Sequence, residues 1–263
     1  MPILTMHQVD AFTDTVFAGN PAAVLILDDW LPEPTMQAIA NENNLAETAF
    51  ARPNGSAWDL RWFTPVHEVN FCGHATLATA HVLASAHGVS GDMEFLTRVG
   101  PIRVSRQDNG YRLDLPAFAP EPVDALPPVI AGLFPVPPRV LFRNFENIFA
   151  VLADEQAVRA FVPDAAAIAT LAPLCFGITA RGESHDFVSR YFAPSAGIPE
   201  DPVTGSIHAT LVPYWAGELG KTRLEAFQAS ARGGHLSCEM AGERVLITGQ
   251  AVTFMKAEID LPD

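Results

Sequence analysis

Two helical segments that are apolar on every side constrain the fold of this chain more than any other feature. Residues 75–86 and 207–219 distribute alanine, leucine, isoleucine, valine and aromatic side chains around the whole circumference of a helix. Neither segment is long enough to cross a bilayer, so folded protein must surround both. One follows Gly73-His74, the other follows Gly205-Ser206, and each runs to a glycine. Because the segments lie about half a chain apart, we predict two related halves, each a curved sheet around one central helix.

Short segments with period-two alternation surround these helices and predict strands, because strand side chains point alternately to two faces. They lie at residues 3–10, 22–27, 47–52, 58–63, 100–105, 111–115, 139–143, 147–153, 174–180, 186–192 and 235–240, with a final pair joined at residues 248–250. Helices with one apolar face are fewer, and lie at residues 32–44, 154–162 and 164–172. The last two open on Asp154 and Asp164, which suit N-caps. The pattern predicts an α+β class with two related halves, each a curved sheet around a buried helix.

A proline-rich passage at residues 116–139 separates the two strand-rich halves and carries few strand signals. Domain boundaries fall in such passages, because proline interrupts both helices and ladders. We therefore expect a first domain at residues 1–118, completed by a C-terminal strand at about residues 250–263. The second domain is expected at residues 119–249.

Composition and cysteine spacing exclude several classes of protein. The formal net charge is -14, and no basic stripe is interleaved with aromatic residues, which argues against nucleic-acid binding. No apolar run reaches the roughly 18 residues that cross a membrane. The three cysteines, Cys72, Cys175 and Cys238, are distant and odd in number, so they form no disulfide framework. With no basic, apolar leader in the N-terminal sequence, a cytoplasmic protein is expected.

Common catalytic and metal-binding motifs are missing from the sequence. There is no closely spaced histidine pair and no C-x-x-C, so we expect no metal site. The G-x-S-x-G elbow, the P-loop and a Rossmann fingerprint after a strand are missing too, which leaves hydrolase, kinase and dehydrogenase functions unsupported.

The two glycine-containing helix entrances are candidates for binding a carboxylate or a developing enolate. Helix N-termini expose backbone N–H groups and a partial positive charge, and glycine allows a ligand to approach closely. Glu47 follows Leu45 and Ala46 in an apolar setting, which would raise its pKa and suit it to carry protons. Asp201 precedes the second helix entrance and could orient a histidine. For each position a structural role remains the alternative: an exposed glutamate, a turn aspartate, or a glycine that turns a strand into a helix.

Four segments resemble, in order and spacing, the signatures of the PhzF-like family, which is named for a phenazine-biosynthesis isomerase. They are "VDAFTDTVFAGNPAAV", "NLAETAF", "RWFTPVHEVNFCGHATLATAHVL" and "GIPEDPVTGSIHATL", and the resemblance covers essentially the whole chain. It implies an α+β fold of the diaminopimelate-epimerase type, with two pseudo-symmetric domains that are each a mainly antiparallel, barrel-like sheet around a central buried helix. The active site would lie between the domains, and the protein would commonly be a homodimer. The resemblance also implies that a dihydro-3-hydroxyanthranilate-like, small carboxylated substrate is isomerised without any cofactor.

Carried over to this chain, the resemblance implies that Glu47 moves a proton between carbons while His74 and Asp201 assist it. Gly73 and Gly205-Ser206 would bind the substrate, and Asn20 would support the site. Three positions depart from the family pattern. Cys72 and Ala75 stand where the family usually has alanine and proline, and Ala46 stands where it often has serine.

Cys72 allows a second hypothesis, since Cys72-Gly73-His74 also resembles the first thiol segment of cofactor-independent amino-acid racemases. Their second thiol would fall in "DPVTG", which contains no cysteine, so a two-thiol racemase is disfavoured. Cys175 and Cys238 are expected in the core, and Cys72 is expected to be a small buried side chain rather than a base. A third hypothesis is a binding protein that keeps the site for a metabolite without turnover.

Overall fold

The computed structural model describes residues 3–261 and divides into two compact units. One is built from the chain up to Asp114 and from Thr248 onward, the other from Leu115–Ile247. The helices are α1 (Glu33–Asn43), α2 (Gly73–Ala86), α3 (Pro128–Ala131), α4 (Glu155–Ala160), α5 (Ala165–Ala169) and α6 (His208–Leu219). The strands are β1 (Ile3–Ala11), β2 (Asn20–Ile26), β3 (Glu47–Asn54), β4 (Ala57–Phe63), β5 (Glu68–Val69), β6 (Met93–Thr97), β7 (Gly100–Gln107), β8 (Gly110–Pro116), β9 (Glu121–Pro122), β10 (Val140–Arg143), β11 (Asn147–Val151), β12 (Cys175–Arg181), β13 (Phe187–Ala193), β14 (Ile198–Asp201), β15 (Arg223–Gln228), β16 (Gly234–Ala241), β17 (Arg244–Gly249) and β18 (Ala251–Asp260).

The first unit is a mixed, mainly antiparallel sheet. β1 pairs antiparallel with β18 and with β2, and β2 continues parallel to β3. β3 then pairs antiparallel with β4, which holds the short β5 on one part of its length and runs parallel to β6 on another. β6, β7 and β8 complete the sheet as antiparallel neighbours. The C-terminal strand thus closes onto the first strand of the chain.

The second unit repeats this order of pairings. β10 is antiparallel to β11, β11 is parallel to β12, and β12 is antiparallel to β13. β13 pairs antiparallel with β14 and parallel with β15, which is antiparallel to β16. The internal similarity predicted from the two apolar helices therefore extends to the sheet topology, strand by strand.

Each unit packs its sheet against one of the two apolar helices. α2 contacts β1, β2, β3 and β18, and its residues from Gly73 to Ala80 are all buried. α6 contacts β15 and β16, and its Trp215 ring stacks on Phe187 at 5.8 Å between centroids. Burial does not extend along the whole length of either helix, since Ala86 and Glu218 are exposed. The prediction of complete enclosure therefore holds for the N-terminal part of each helix, where apolar residues occupy every face.

The start of the second central helix differs from the prediction. α6 begins at His208, not beside Gly205-Ser206. The amides of His208 and Ala209 bond to the carbonyls of Gly205 and Ser206 at 3.1 Å each. These are i to i+3 bonds, so a tight 3₁₀-type turn leads into the helix. Gly73, by contrast, is the first residue of α2.

Two of the shorter helices, α4 and α5, are capped as the sequence predicts. The Asp154 carboxylate accepts a hydrogen bond from the Ala157 amide at 2.8 Å, and Asp164 accepts one from the Ala167 amide at 3.0 Å. Each cap satisfies an amide that a helix start leaves without a backbone partner. Within residues 3–261, no helix is both long and apolar enough to span a membrane.

Candidate active site

Three of the predicted site residues meet in the first unit, at the beginnings of three neighbouring elements. Asn20 is the first residue of β2 and Glu47 the first residue of β3. β2 and β3 are parallel, with Ala22 opposite Glu47, so both strands begin at the same edge of the sheet. His74 is the second residue of α2, which packs against both strands. The fold itself thus gathers the Asn20, Glu47 and His74 side chains.

His74 lies between a carboxylate and an amide. Its Nε2 is 3.2 Å from Glu47 Oε2, and its Nδ1 is 3.1 Å from Asn20 Nδ2. An amide nitrogen can only donate, so Nδ1 accepts and the imidazole proton resides on Nε2. The protonated Nε2 of His74 therefore faces the Glu47 carboxylate at 3.2 Å. Asn20 fixes the tautomer, and through it which imidazole nitrogen presents its N–H to Glu47.

Burial determines the charge of the His74 imidazole. Glu47 is 8% exposed, His74 is 3% exposed and Asn20 is fully buried. Burial lowers the pKa of His74 to about 3, because the charged imidazolium would lose its hydration. The imidazole is accordingly neutral at physiological pH.

Cys72 is the fourth member of the cluster. Its side chain is buried, as predicted, and its sulfur lies 3.4 Å from Nδ1 and 4.0 Å from Nε2 of His74. The Cys72 carbonyl accepts hydrogen bonds from the amide of Thr76 at 3.2 Å and from the Thr76 hydroxyl at 2.6 Å. Cys72 thus begins α2 through its backbone, while its thiol contacts the histidine.

The helix start itself is a further chemical element of the site. α2 has 14 residues, and its N-cap, Cys72, makes no side-chain capping hydrogen bond. The amides of the first turn of a helix have no intrahelical partner, and the helix dipole adds a partial positive charge there. An anionic group placed beside Gly73 and His74 would therefore be stabilised.

The predicted residues Asp201, Gly205 and Ser206 lie in the second unit. Asp201 ends β14 and is buried, and its carboxylate accepts a hydrogen bond from the Thr204 hydroxyl. Gln228, fully buried, donates to the Asp201 carbonyl at 2.7 Å and accepts from the Thr204 amide at 2.8 Å. Gly205 is buried in the turn that precedes α6, and Ser206 is half-buried there.

Thr204 and Gln228 are residues that the sequence analysis missed. Thr204 carries a signal, because it stands inside the "DPVTGS" segment next to Gly205. Gln228 carries none, since it lies 24 positions after Thr204 along the chain. Only the tertiary structure reveals that it holds the Asp201 turn in place.

The expectation that Cys175 lies in the core is wrong. It is the first residue of β12 and only half-buried, whereas Cys238 is buried as predicted. A hydrogen bond joins it to Tyr191, whose hydroxyl donates to Asn147 Oδ1 at 2.6 Å. Burial raises the pKa of the Cys175 thiol, so it is protonated at neutral pH. Cys175 lies where β12 starts, and this end of the strand accommodates such a polar cluster. The apolar neighbours of Cys175 in the sequence do not indicate it.

Comparison with known proteins identifies the family of this chain. The model of the family PhzC-PhzF, described as phenazine biosynthesis-like protein, matches residues 9–257. This chain belongs to the PhzC-PhzF family. It is 49% identical to an uncharacterized isomerase of Pseudomonas aeruginosa, over 98% of this chain and 99% of that protein.

Solved structures agree with the PhzC-PhzF assignment. A PhzF-family protein of Enterococcus faecalis superimposes with a TM-score of 0.95 at 44% identity, covering 99% of this chain and 100% of that one. A predicted epimerase of Pseudomonas aeruginosa shares the fold at 20% identity, with a TM-score of 0.72 over 98% of this chain and 100% of its own. The predicted α+β class of the diaminopimelate-epimerase type is confirmed.

Proposed function

We propose that this PhzC-PhzF protein is an isomerase that moves a proton between two carbons of a small carboxylated metabolite, with Glu47 as the acid and base. The contact between Glu47 and His74, 3.2 Å long and buried, carries this proposal. Relatives named isomerases support the general class of reaction. The substrate class and the independence from a cofactor follow the resemblance of the sequence, and they are part of the proposal.

In the proposed reaction the Glu47 carboxylate removes a proton from a carbon whose acidity a neighbouring carbonyl or carboxylate increases. The resulting carboxylic acid, whose proton exchanges with solvent, then delivers a proton to a second carbon, so the substrate is rearranged without net gain or loss of atoms. A neutral His74 suits this cycle, because its Nε2–H faces the carboxylate at 3.2 Å and favours its charged form. Asn20 holds the imidazole in that tautomer.

The start of α2 has a second role in this proposal. Removing the proton places negative charge on the substrate, and helix N-termini stabilise anions through amide groups and the dipole. The amides near Gly73 would bind the substrate carboxylate or its enolate. Asp201, Gly205 and Ser206 keep their predicted assisting and binding roles as part of the proposal.

Solvent deuterium exchange tests the role of Glu47. Candidate substrates would first be chosen by ligand-dependent thermal stabilisation, then incubated in deuterium oxide with wild type and with Glu47→Gln. We expect the variant to lose exchange by at least the roughly 100-fold that general acid–base groups contribute. Glu155→Gln is the matched control, because Glu155 is also 8% exposed but lies in the second unit, paired with Arg159. Exchange by Glu47→Gln at the wild-type rate would refute the proposal.

The contact of Cys72 with His74 supports one alternative, a cysteine-based racemase or epimerase. A thiol that moves the proton makes α-proton exchange depend on Cys72 instead of Glu47. Exchange lost in Cys72→Ser and kept in Glu47→Gln would establish that alternative. If a metabolite stabilises the protein but neither wild type nor any variant exchanges a proton of that metabolite with solvent, the non-catalytic binding protein is indicated instead.

A further inference from the structure

Glu47, Cys72 and His74 place three different metal-ligating atoms around one point inside the first unit. The carboxylate oxygen, the sulfur and an imidazole nitrogen all lie within 4.8 Å of one another, and all three side chains are buried. No metal site is expected from the sequence, because it contains neither a closely spaced histidine pair nor a C-x-x-C motif. Here two ligands come from a helix start and the third from a strand 25 residues earlier.

We propose that these three side chains form a binding site for a thiophilic divalent cation of the Zn²⁺ class. The inference goes beyond the isomerase function and does not depend on it. The cation would occupy the space between His74 Nε2 and Glu47 Oε2, which are 3.2 Å apart and where the imidazole proton now lies. The metal-bound form would therefore be a separate state of the protein, in which this proton is displaced.

The carboxylate and the imidazole are already placed for a single tetrahedral ion. Zinc bonds of about 2.0–2.1 Å to nitrogen, 2.0–2.2 Å to oxygen and 2.3 Å to sulfur require about 3.4 Å between nitrogen and oxygen and about 3.6 Å between nitrogen and sulfur. His74 Nε2 lies 3.2 Å from Glu47 Oε2, so this pair needs almost no movement. Cys72 Sγ lies 4.0 Å from Nε2 but only 3.4 Å from Nδ1, so it must swing from the Nδ1 side of the ring toward Nε2 by rotation of the Cys72 side chain.

Charge and proton balance also favour a divalent cation. A carboxylate, a thiolate and a neutral imidazole neutralise a charge of two, which a buried site requires. On binding, the Cys72 thiol releases its proton to solvent, and the imidazole proton moves from Nε2 to Nδ1. Asn20 can accept it there when its amide turns over, because either end of an amide can face a histidine nitrogen. Metal-bound histidines commonly donate their second nitrogen to such an oxygen.

Cobalt spectroscopy tests the site without any substrate. Chelator-treated protein would be titrated with CoCl2, which is expected to produce a thiolate-to-cobalt band in the near ultraviolet and intense tetrahedral bands in the visible. One equivalent per chain should saturate both, and ZnCl2 should abolish them stoichiometrically. Cys72→Ser and Cys72→Ala are expected to lose the thiolate band, while Glu47→Gln keeps it with at least ten-fold weaker binding.

Cys175→Ser and Cys238→Ser are matched controls, because both thiols lie in the second unit. Both variants should reproduce the wild-type spectrum. Far-ultraviolet circular dichroism checks that Cys72→Ser and Cys72→Ala are folded. One folded Cys72 variant is enough for the test. The proposal is overturned if the thiolate band persists in a folded Cys72 variant, disappears in a control variant, or fails to form in wild type at millimolar cobalt.

Discussion

His208 should make the stability of this protein fall as the solution becomes acidic. It is the first residue of α6 and fully buried, and its Nδ1 donates to the Thr204 carbonyl at 2.9 Å. Burial lowers its pKa from 6.5 to about 4, only partly offset by that hydrogen bond. The unfolded chain therefore binds a proton near pH 6.5 that the folded chain refuses until about pH 4.

The sign and size of the effect follow from linkage. Because the pKa of the folded state is lowered, the full stability is present above pH 6.5 and is lost progressively as the pH falls to about 4. The cost is about 1.4 kcal/mol for each pH unit in this window, or about 3 kcal/mol in total. Between pH 7 and pH 5 the loss from His208 alone is about 2 kcal/mol.

The comparison with His208→Asn isolates this contribution. Asparagine stays neutral at every pH, and its amide can replace Nδ1 as the donor to Thr204, although its smaller volume lowers stability equally at each pH. Urea unfolding would be followed by tryptophan fluorescence, to which Trp215 in the same helix contributes. Between pH 7 and pH 5, wild type should lose about 2 kcal/mol more than the variant. His74 is present in both proteins and cancels in the difference. Parallel stability curves for the two proteins would refute the reasoning.

Three further predictions concern packing, capping and backbone conformation, each measured by urea unfolding. Phe176→Ala, at a fully buried position in the second unit, should cost about 3–5 kcal/mol by opening a cavity; a loss below 1 kcal/mol would contradict this packing. Asp164→Ala removes the side-chain cap of α5 and should lower the free energy of unfolding by about 1 kcal/mol. An unchanged free energy of unfolding would contradict a stabilising role of this cap. Gly110→Ala should destabilise more than Gly55→Ala. Both glycines have positive φ, but only at Gly110 would a Cβ meet backbone, at 2.3 Å from the Gly249 carbonyl oxygen. Equal losses would contradict that clash.

The sequence predicts the scaffold well where a local pattern is strong. α2 is recognisable because apolar residues occupy every face and a glycine follows it, and the structure places it from Gly73 to Ala86. β6 and β15 were missed, because charged side chains dilute the short segments "MEFLT" and "RLEAFQ". Both strands are nonetheless held by parallel neighbours, β4 and β13, that are distant in the chain. Such pairing energy comes from tertiary structure and leaves no local signal.

The sequence names the residues of the candidate site but does not predict their geometry. The sequence names Asn20, Glu47 and His74, yet nothing in their spacing predicts that one imidazole contacts both other side chains. The tautomer of His74 depends on the orientation of the Asn20 amide, 54 positions away. Cys72 was expected to be a bystander, and its 3.4 Å contact with His74 instead makes it a potential ligand. Pairings between distant elements therefore decide the chemistry that residue types only permit.

The internal repeat explains why two similar scaffolds can carry different chemistry. β2 and β11 both begin with an asparagine, Asn20 and Asn147, and the parallel strands beside them begin with Glu47 and Cys175. The neighbouring strand thus starts with a carboxylate in the first unit and with a thiol in the second. The register differs as well, since Glu47 lies opposite Ala22 whereas Cys175 lies opposite Asn147. Burial raises the pKa of Cys175, so this thiol has little tendency to act as a base at neutral pH. Duplicated topology supplies the strand starts, and the residue and register at each start differ between the units, with Glu47 the residue that moves the proton under the proposed function.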